Sequence, residues 1–211
     1  MRYIVKTEDE WLNLRSQYVT ASEAATLVGL NPYSSPTKLR QASVFKGNAF
    51  TTVGTMLEPI VVQVVNSVLN TSFKLFEQEF GGKVFYTKGS LGATPDAFYD
   101  DVLLECKTTR PHSFQKYSGF PNLVYLIQTQ VQMYCADMST AYLAILSTDL
   151  TQQTMELKWP ISIYKVLKND QVYDILQEEA TRFLLNDTYR IKSPYKKLVR
   201  LLLSLCYERV Y

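Results

Sequence analysis

The stretch ATPDAFYDDVLLECKTT, residues 93–109, reads as two short strands joined through a two-residue turn at Asp100-Asp101. Such a turn fixes the register. Tyr99 then faces Val102, Phe98 faces Leu103, Ala97 faces Leu104, and Asp96 stands across from Glu105, with cross-strand Cβ atoms roughly 5 Å apart. Strand alternation puts Lys107 on the face of Glu105 and turns the Cys106 side chain away, leaving only the Cys106 carbonyl available there. Two facing carboxylates raise each other's pKa and repel, so they call for a shared proton or a cation. Hard oxygen donors with open positions for water and phosphate favour magnesium or manganese, and suit metal-assisted phosphodiester hydrolysis better than a structural calcium cage. A surface hairpin with a cross-strand Glu–Lys pair would carry the same string, so the rest of the chain has to decide.

Glu58, in GTMLEP (54–59), supplies a third carboxylate. Its helical neighbours Val61, Val65 and Val68 place it on an apolar stripe, where an acid needs a partner; an acid in a first helical turn is the alternative. Gln130 likewise projects between Ile127 and Tyr134, and on spacing alone is equally a site amide or a buried structural one. Gln128 and Gln132 look like the ordinary polar face of that helix. Further upstream, Arg15 precedes a helix opened by Thr20 and carrying Ser22, a grouping that could seat a terminal phosphate. On spacing alone, a solvent-facing arginine beside a routine capping box explains it better.

The 211 residues, 46% hydrophobic and 20% charged, suffice for one sizeable core, and a single domain over 1–211 is expected. A net charge of +2 neither demands nor excludes nucleic acid. Three scattered cysteines and a lone His112 argue against zinc, iron–sulfur and histidine-based nucleophile chemistry. The same cysteine usage, with no apolar leader in MRYIVKTEDE, points to the cytoplasm. The richest apolar run, PIVVQVV at 59–65, is short for a membrane span, so no membrane role is expected.

Capping boxes at Thr7/Glu10 and Thr20/Glu23 open two helices, and further helices are expected over 36–46 and 52–70. An antiparallel meander is expected from strands at 72–79, 83–87, 91–99 and 102–108. A helix over 123–137, strands at 140–147 and 152–159, a helix over 162–185 and an amphipathic or buried one over 194–206 complete a mixed α/β architecture. N-terminal helices thus span 7–70, a core about 52–160, and C-terminal helices about 162–206. The leucines of the last helix are expected to pack on the chain's own core rather than at a subunit interface.

Four ordered motifs, WLNLRSQYVTASE with GLNPYSSP, GTMLEP, TPDAFYDDVLLECK and YLIQTQVQM, resemble those of the lambda-exonuclease/YqaJ viral recombinases within the PD-(D/E)xK nucleases. The resemblance covers roughly residues 11–147. It implies a restriction-endonuclease-like core, a mixed central sheet flanked by helices, and a 5′-to-3′ exonuclease that leaves 3′ overhangs on linear duplex DNA. Two Mg2+ ions, replaceable by Mn2+, would be held by Asp96, Glu58, Glu105 and the Cys106 carbonyl, with Lys107 and Gln130 managing the attacking water. Arg15 and Ser22, with Thr20 beside them, would grip a 5′-phosphate. A single-strand annealing partner and a homo-trimeric ring are further implications. Within the same fold, an endonuclease or a catalytically silent DNA- or host-protein-binding member is the alternative; a Cas4-like nuclease lacks its cysteines here.

Overall fold

The computed structural model describes residues 1–41, 49–117, 119–148, 160–191, 195–205 and 207–211. The strand expected at 152–159 and the end of the helix expected over 36–46 fall outside these. The chain opens with strand β1 (Arg2–Val5), which periodicity did not reveal, followed by α1 (Glu8–Arg15), β2 (Val19–Thr20), α2 (Ala21–Leu27) and α3 (Pro36–Gln41). Both capping boxes form: Thr7 Oγ1 accepts from Glu10 N–H at 3.2 Å, and Glu23 Oε2 accepts from Thr20 N–H at 2.9 Å. Next come α4 (Ala49–Leu69), β3 (Lys74–Leu75), α5 (Phe76–Phe80), β4 (Lys83–Lys88), β5 (Leu91–Ala93), β6 (Ala97–Tyr99) and β7 (Val102–Thr109). The remaining elements are α6 (Pro111–Tyr117), α7 (Leu123–Ala136), β8 (Thr140–Ser147), β9 (Ile161–Leu167), α8 (Asp170–Leu185), α9 (Tyr195–Leu205) and β10 (Tyr207–Arg209).

Two sheets form, ordered β1-β4-β5-β2 and β10-β9-β8-β7-β6-β3. The expected meander is therefore split, β4 and β5 pairing in the small sheet and β6 and β7 in the large one. The expected strand over 91–99 breaks at Thr94-Pro95-Asp96, where the chain passes from one sheet to the other. Two other expectations fail locally. Within 72–79 only Lys74–Leu75 is extended, because Phe76 and Phe80, four apart, stack at 6.0 Å on one face of α5. Residues 161–167 form a strand rather than the start of a helix; this β-branched run is buried at Ile161, Ile163, Tyr164 and Val166, filling both faces of the sheet.

β7 and β8 pair in parallel from Val102↔Thr140 to Thr109↔Ser147, with α7 in the connection between them. One face of the large sheet carries Leu103, Leu143, Ile145 and Val166 into a core shared with α2, α7, α8 and the small sheet. The other carries Leu104, Cys106, Ala144 and Ile163 against Val61, Val62 and Val65 of α4. Thr52–Leu69 is long and apolar enough, by length and composition alone, to cross a membrane. In this fold it is a packing helix: its valines meet β7 and β8, and Asn66 binds the backbone of Phe73 through both amide atoms at 2.7 and 3.0 Å. Leu198 and Leu202 of α9 are fully buried in the main core, in line with the self-packing expected for that helix.

Candidate active site

The hairpin forms with the expected register, Tyr99↔Val102, Phe98↔Leu103 and Ala97↔Leu104, and Asp100 adopts φ +48° at its turn. The ladder ends at Ala97. One residue earlier, where the chain leaves for the small sheet, Asp96 Oδ2 accepts from Cys106 N–H at 2.7 Å and replaces the strand that has departed. Because N–H and C=O of one strand residue point to the same side, the Cys106 carbonyl is turned to this open edge as well. Burial, then the charges of Glu105 and Glu58, push the Asp96 carboxyl well above the usual range, against the pull of Lys107 and the Cys106 N–H.

Glu105 is 1% exposed and lies at the centre of the group. Its Oε1 meets Lys107 Nζ and accepts from Gln128 Nε2 at 2.5 Å, while Oε2 accepts from Gln132 Nε2. Glu58 approaches from α4, at the same edge. Burial first, and Glu105 second, raise its carboxyl from 4.5 to about 7. For Lys107, burial pulls the ammonium down, but Glu105 and Asp96 outweigh that and drive its pKa above the ordinary lysine value. Glu58 of α4 thus joins Asp96, Glu105 and Lys107 of the hairpin in one electrostatic neighbourhood with more acids than cations.

Gln130 is not in it. Its Nε2 donates to Leu167 O at 2.6 Å and its Oε1 accepts from Asn169 N–H at 2.9 Å, so the amide fastens the β9–α8 junction. Two residues along a helix are about 200° apart, and Gln130 therefore points away from the side on which Gln128 and Gln132, four apart, both face Glu105.

A cavity of about 140 Å³ adjoins this cluster, lined by Trp11, Arg15, Thr20, Ser22, Thr94 and Gln128 among others. Arg15 stacks on Trp11 at 4.6 Å and reaches Thr20 Oγ1 at 3.4 Å and Glu23 at 3.8 Å. Thr20 Oγ1 lies 3.2 Å from Ser22 Oγ, and Trp11 Nε1 donates to Thr94 Oγ1 at 3.0 Å. Arg15, Thr20 and Ser22 therefore line one space. Sequence reasoning missed Thr94, for which the nearest available signal was that it stands two residues from Asp96, and left Gln128 as an alternative to Gln130 on the polar face of its helix.

Whether these residues suit a divalent ion can be judged from their chemistry. Glu58, Asp96, Glu105 and the Cys106 carbonyl are hard oxygen donors, and burial first, with the charges of the neighbouring acids second, raises the Glu58 and Asp96 carboxyls, a crowding of acids that a cation relieves. As placed, Glu105 is turned onto Lys107 and the glutamines, and among the described residues no three acidic, cysteine or histidine side chains gather around one point. The donor set fits a hard divalent ion.

A model of the YqaJ-like viral recombinase domain matches residues 10–139. Among solved structures, an alkaline exonuclease from Laribacter hongkongensis aligns with TM-score 0.60 and 22% identity over 84% of this chain and 91% of its own. The same exonuclease in complex with dAMP aligns at 0.59 and 20%, over 84% and 91%. A phage-related exonuclease from Haemophilus somnus 129PT aligns at 0.58 and 14%, over 83% and 95%. At these identities the likeness is one of fold, and it agrees with the restriction-endonuclease-like core expected from the motifs. No curated protein matches the chain.

Proposed function

Since this chain belongs to the YqaJ-like viral recombinase domain family, we propose that it is a divalent-metal-dependent DNA exonuclease that degrades one strand of linear duplex from its 5′ end, leaving 3′ overhangs for annealing. One observation carries the reading: Gln128 both lines the Arg15–Ser22 cavity and donates to Glu105. Grip on a strand end and cleavage of its phosphodiester are thereby joined through one amide. An enzyme that starts from a terminal phosphate needs that junction, whereas an endonuclease does not.

In this mechanism Arg15, Thr20 and Ser22 bind the 5′-phosphate through a guanidinium and two hydroxyls. Glu58, Asp96, Glu105 and the Cys106 carbonyl hold Mg2+, two ions in the full site, which when bound supply Lewis acidity and an activated water. Lys107, paired with Glu105 at the rim, holds the attacking water by its ammonium, and the Gln128 amide keeps Glu105 aligned toward the cavity. A single-strand annealing protein then takes the overhang. A ring of three copies would add processivity, and the host cytoplasm is the place of work, in keeping with Cys106 and Cys135 as free thiols.

The test is digestion of linear duplex DNA bearing a 5′-phosphate or a 5′-hydroxyl, with Mg2+ or with chelator, beside a closed circle. Mg2+-dependent loss of the linear DNA, faster from 5′-phosphate and sparing the circle, is the expected outcome. Cutting of the circle would favour an endonuclease, and no cutting at all a DNA-binding member of the fold.

A further inference from the structure

Gln132 presents an anomaly that the proposed reaction does not explain. It is fully buried, its Nε2 donates to Glu105 Oε2, and its own Oε1 has no hydrogen-bond partner among the described residues. A buried carbonyl left unpaired carries a standing cost. Leucine or methionine, of similar volume, would fill the same space without it. Nor is the helix unable to satisfy an amide, because Gln130, two residues away and 2% exposed, has both of its amide atoms bonded. Reversing the Gln132 amide would not help, since its oxygen would then face the Glu105 carboxylate.

Gln128 and Gln132 hold different oxygens of Glu105, and they do so in different surroundings. Gln128 borders the cavity and is within reach of a bound strand. Gln132 is fully buried, and among the described residues its side chain hydrogen-bonds to the acid. A carboxylate held at one oxygen still rotates about its χ3 bond; one held at both is fixed in plane and position.

We infer that Gln132 is a positioning residue, which fixes the rotation of Glu105 from below and so sets the affinity of the acidic cluster for a divalent ion. The inference rests on the metal-dependent reading above. Outer-shell partners of metal-binding carboxylates change affinity by roughly 10–100-fold when removed.

The experiment is calorimetric titration of the full chain with Mn2+, for wild type, Gln132→Leu and Gln130→Leu, alongside thermal melts. Gln132→Leu removes the unpaired carbonyl but also strips Glu105 Oε2 of its donor, so it should melt at or below the wild-type temperature and bind Mn2+ about tenfold more weakly. Gln130→Leu should melt lower and bind Mn2+ unchanged. Wild-type affinity in Gln132→Leu would overturn the positioning role while leaving the metal-dependent reading intact; no Mn2+ binding by wild type would overturn both. Should Gln132→Leu not fold, the wild-type protein still decides. The Gln132 side-chain amide resonances should exchange slowly and shift on Mg2+ titration, and amide signals that do not move would refute the inference.

Discussion

Two buried acids, Glu105 on β7 and Glu179 on α8, are about equally hidden, at 1% and 4% exposure, and their surroundings could hardly differ more. Glu179 pairs with Arg182 and accepts from the Tyr189 hydroxyl, which also lies 2.8 Å from Leu27 O, so the 186–190 turn is bound to α2 and α8. Its charge is answered locally. Glu105 shares Lys107 with two more acids, Glu58 and Asp96, whose carboxyls are raised above the usual range by burial first and by the charge of Glu105 second. A closed set of partners marks an acid that serves the fold; an excess of like charge marks one held ready for something the chain does not itself supply.

The sharpest way to break this contrast is to neutralise each side. Asp96→Asn should lower DNA cleavage by at least about a thousandfold, since a charge at the metal cluster is lost, while thermal stability holds or rises because a buried like charge is gone. Substantial residual cutting would mean that the acids are structural after all. Glu179→Leu should do the reverse. Arg182 is 24% exposed and keeps some access to water, so the loss should be about 2 kcal/mol in denaturant unfolding rather than the ~3–5 of a fully buried pair, with cleavage per folded molecule unchanged.

The smallest effect is in pH. Glu58 is raised from 4.5 to about 7, so between those values the folded chain keeps a proton that the unfolded chain has released. Its contribution to metal-free stability is therefore intact below about pH 4.5 and declines as pH rises toward 7. Melting curves in chelator should show a steeper decline for wild type than for Glu58→Gln, in which Asp96 alone stays raised, and the upward shift given by Mg2+ should grow from about pH 6 to about pH 8. A wild-type curve parallel to that of Glu58→Gln would remove Glu58 from the cluster.

Much of this was legible where the information is local. The Asp100-Asp101 turn specifies its own register, and from the register follow the positions of Glu105 and Lys107; Asp96, expected across from Glu105, lies one residue beyond the end of the ladder and meets the Cys106 N–H instead. The choice among glutamines was not legible, because α7 is buried against both sheets: Ile127, Gln130, Val131 and Gln132 all lie inside, so an apolar stripe marks no single direction. Only the neighbours reveal that 128 and 132 face β7 while 130 faces the β9–α8 junction. The parallel pairing of β7 with β8, the split into two sheets and the edge strands β1 and β10 depend on contacts distant in sequence, which periodicity does not encode. At 161–167 the alternation was masked because both faces of that strand are covered.

The shared position of Gln128 has an evolutionary consequence. Most side chains in a site answer to one selective demand, and change at them can be tested one property at a time. If the cavity holds a DNA end as proposed, a substitution at residue 128 that altered that hold would also disturb Glu105, so improvement in one trait would be bound to loss in the other. New end preferences in this lineage should therefore arise by change at the cavity's other walls, at Thr94 or Trp11, while position 128 stays fixed.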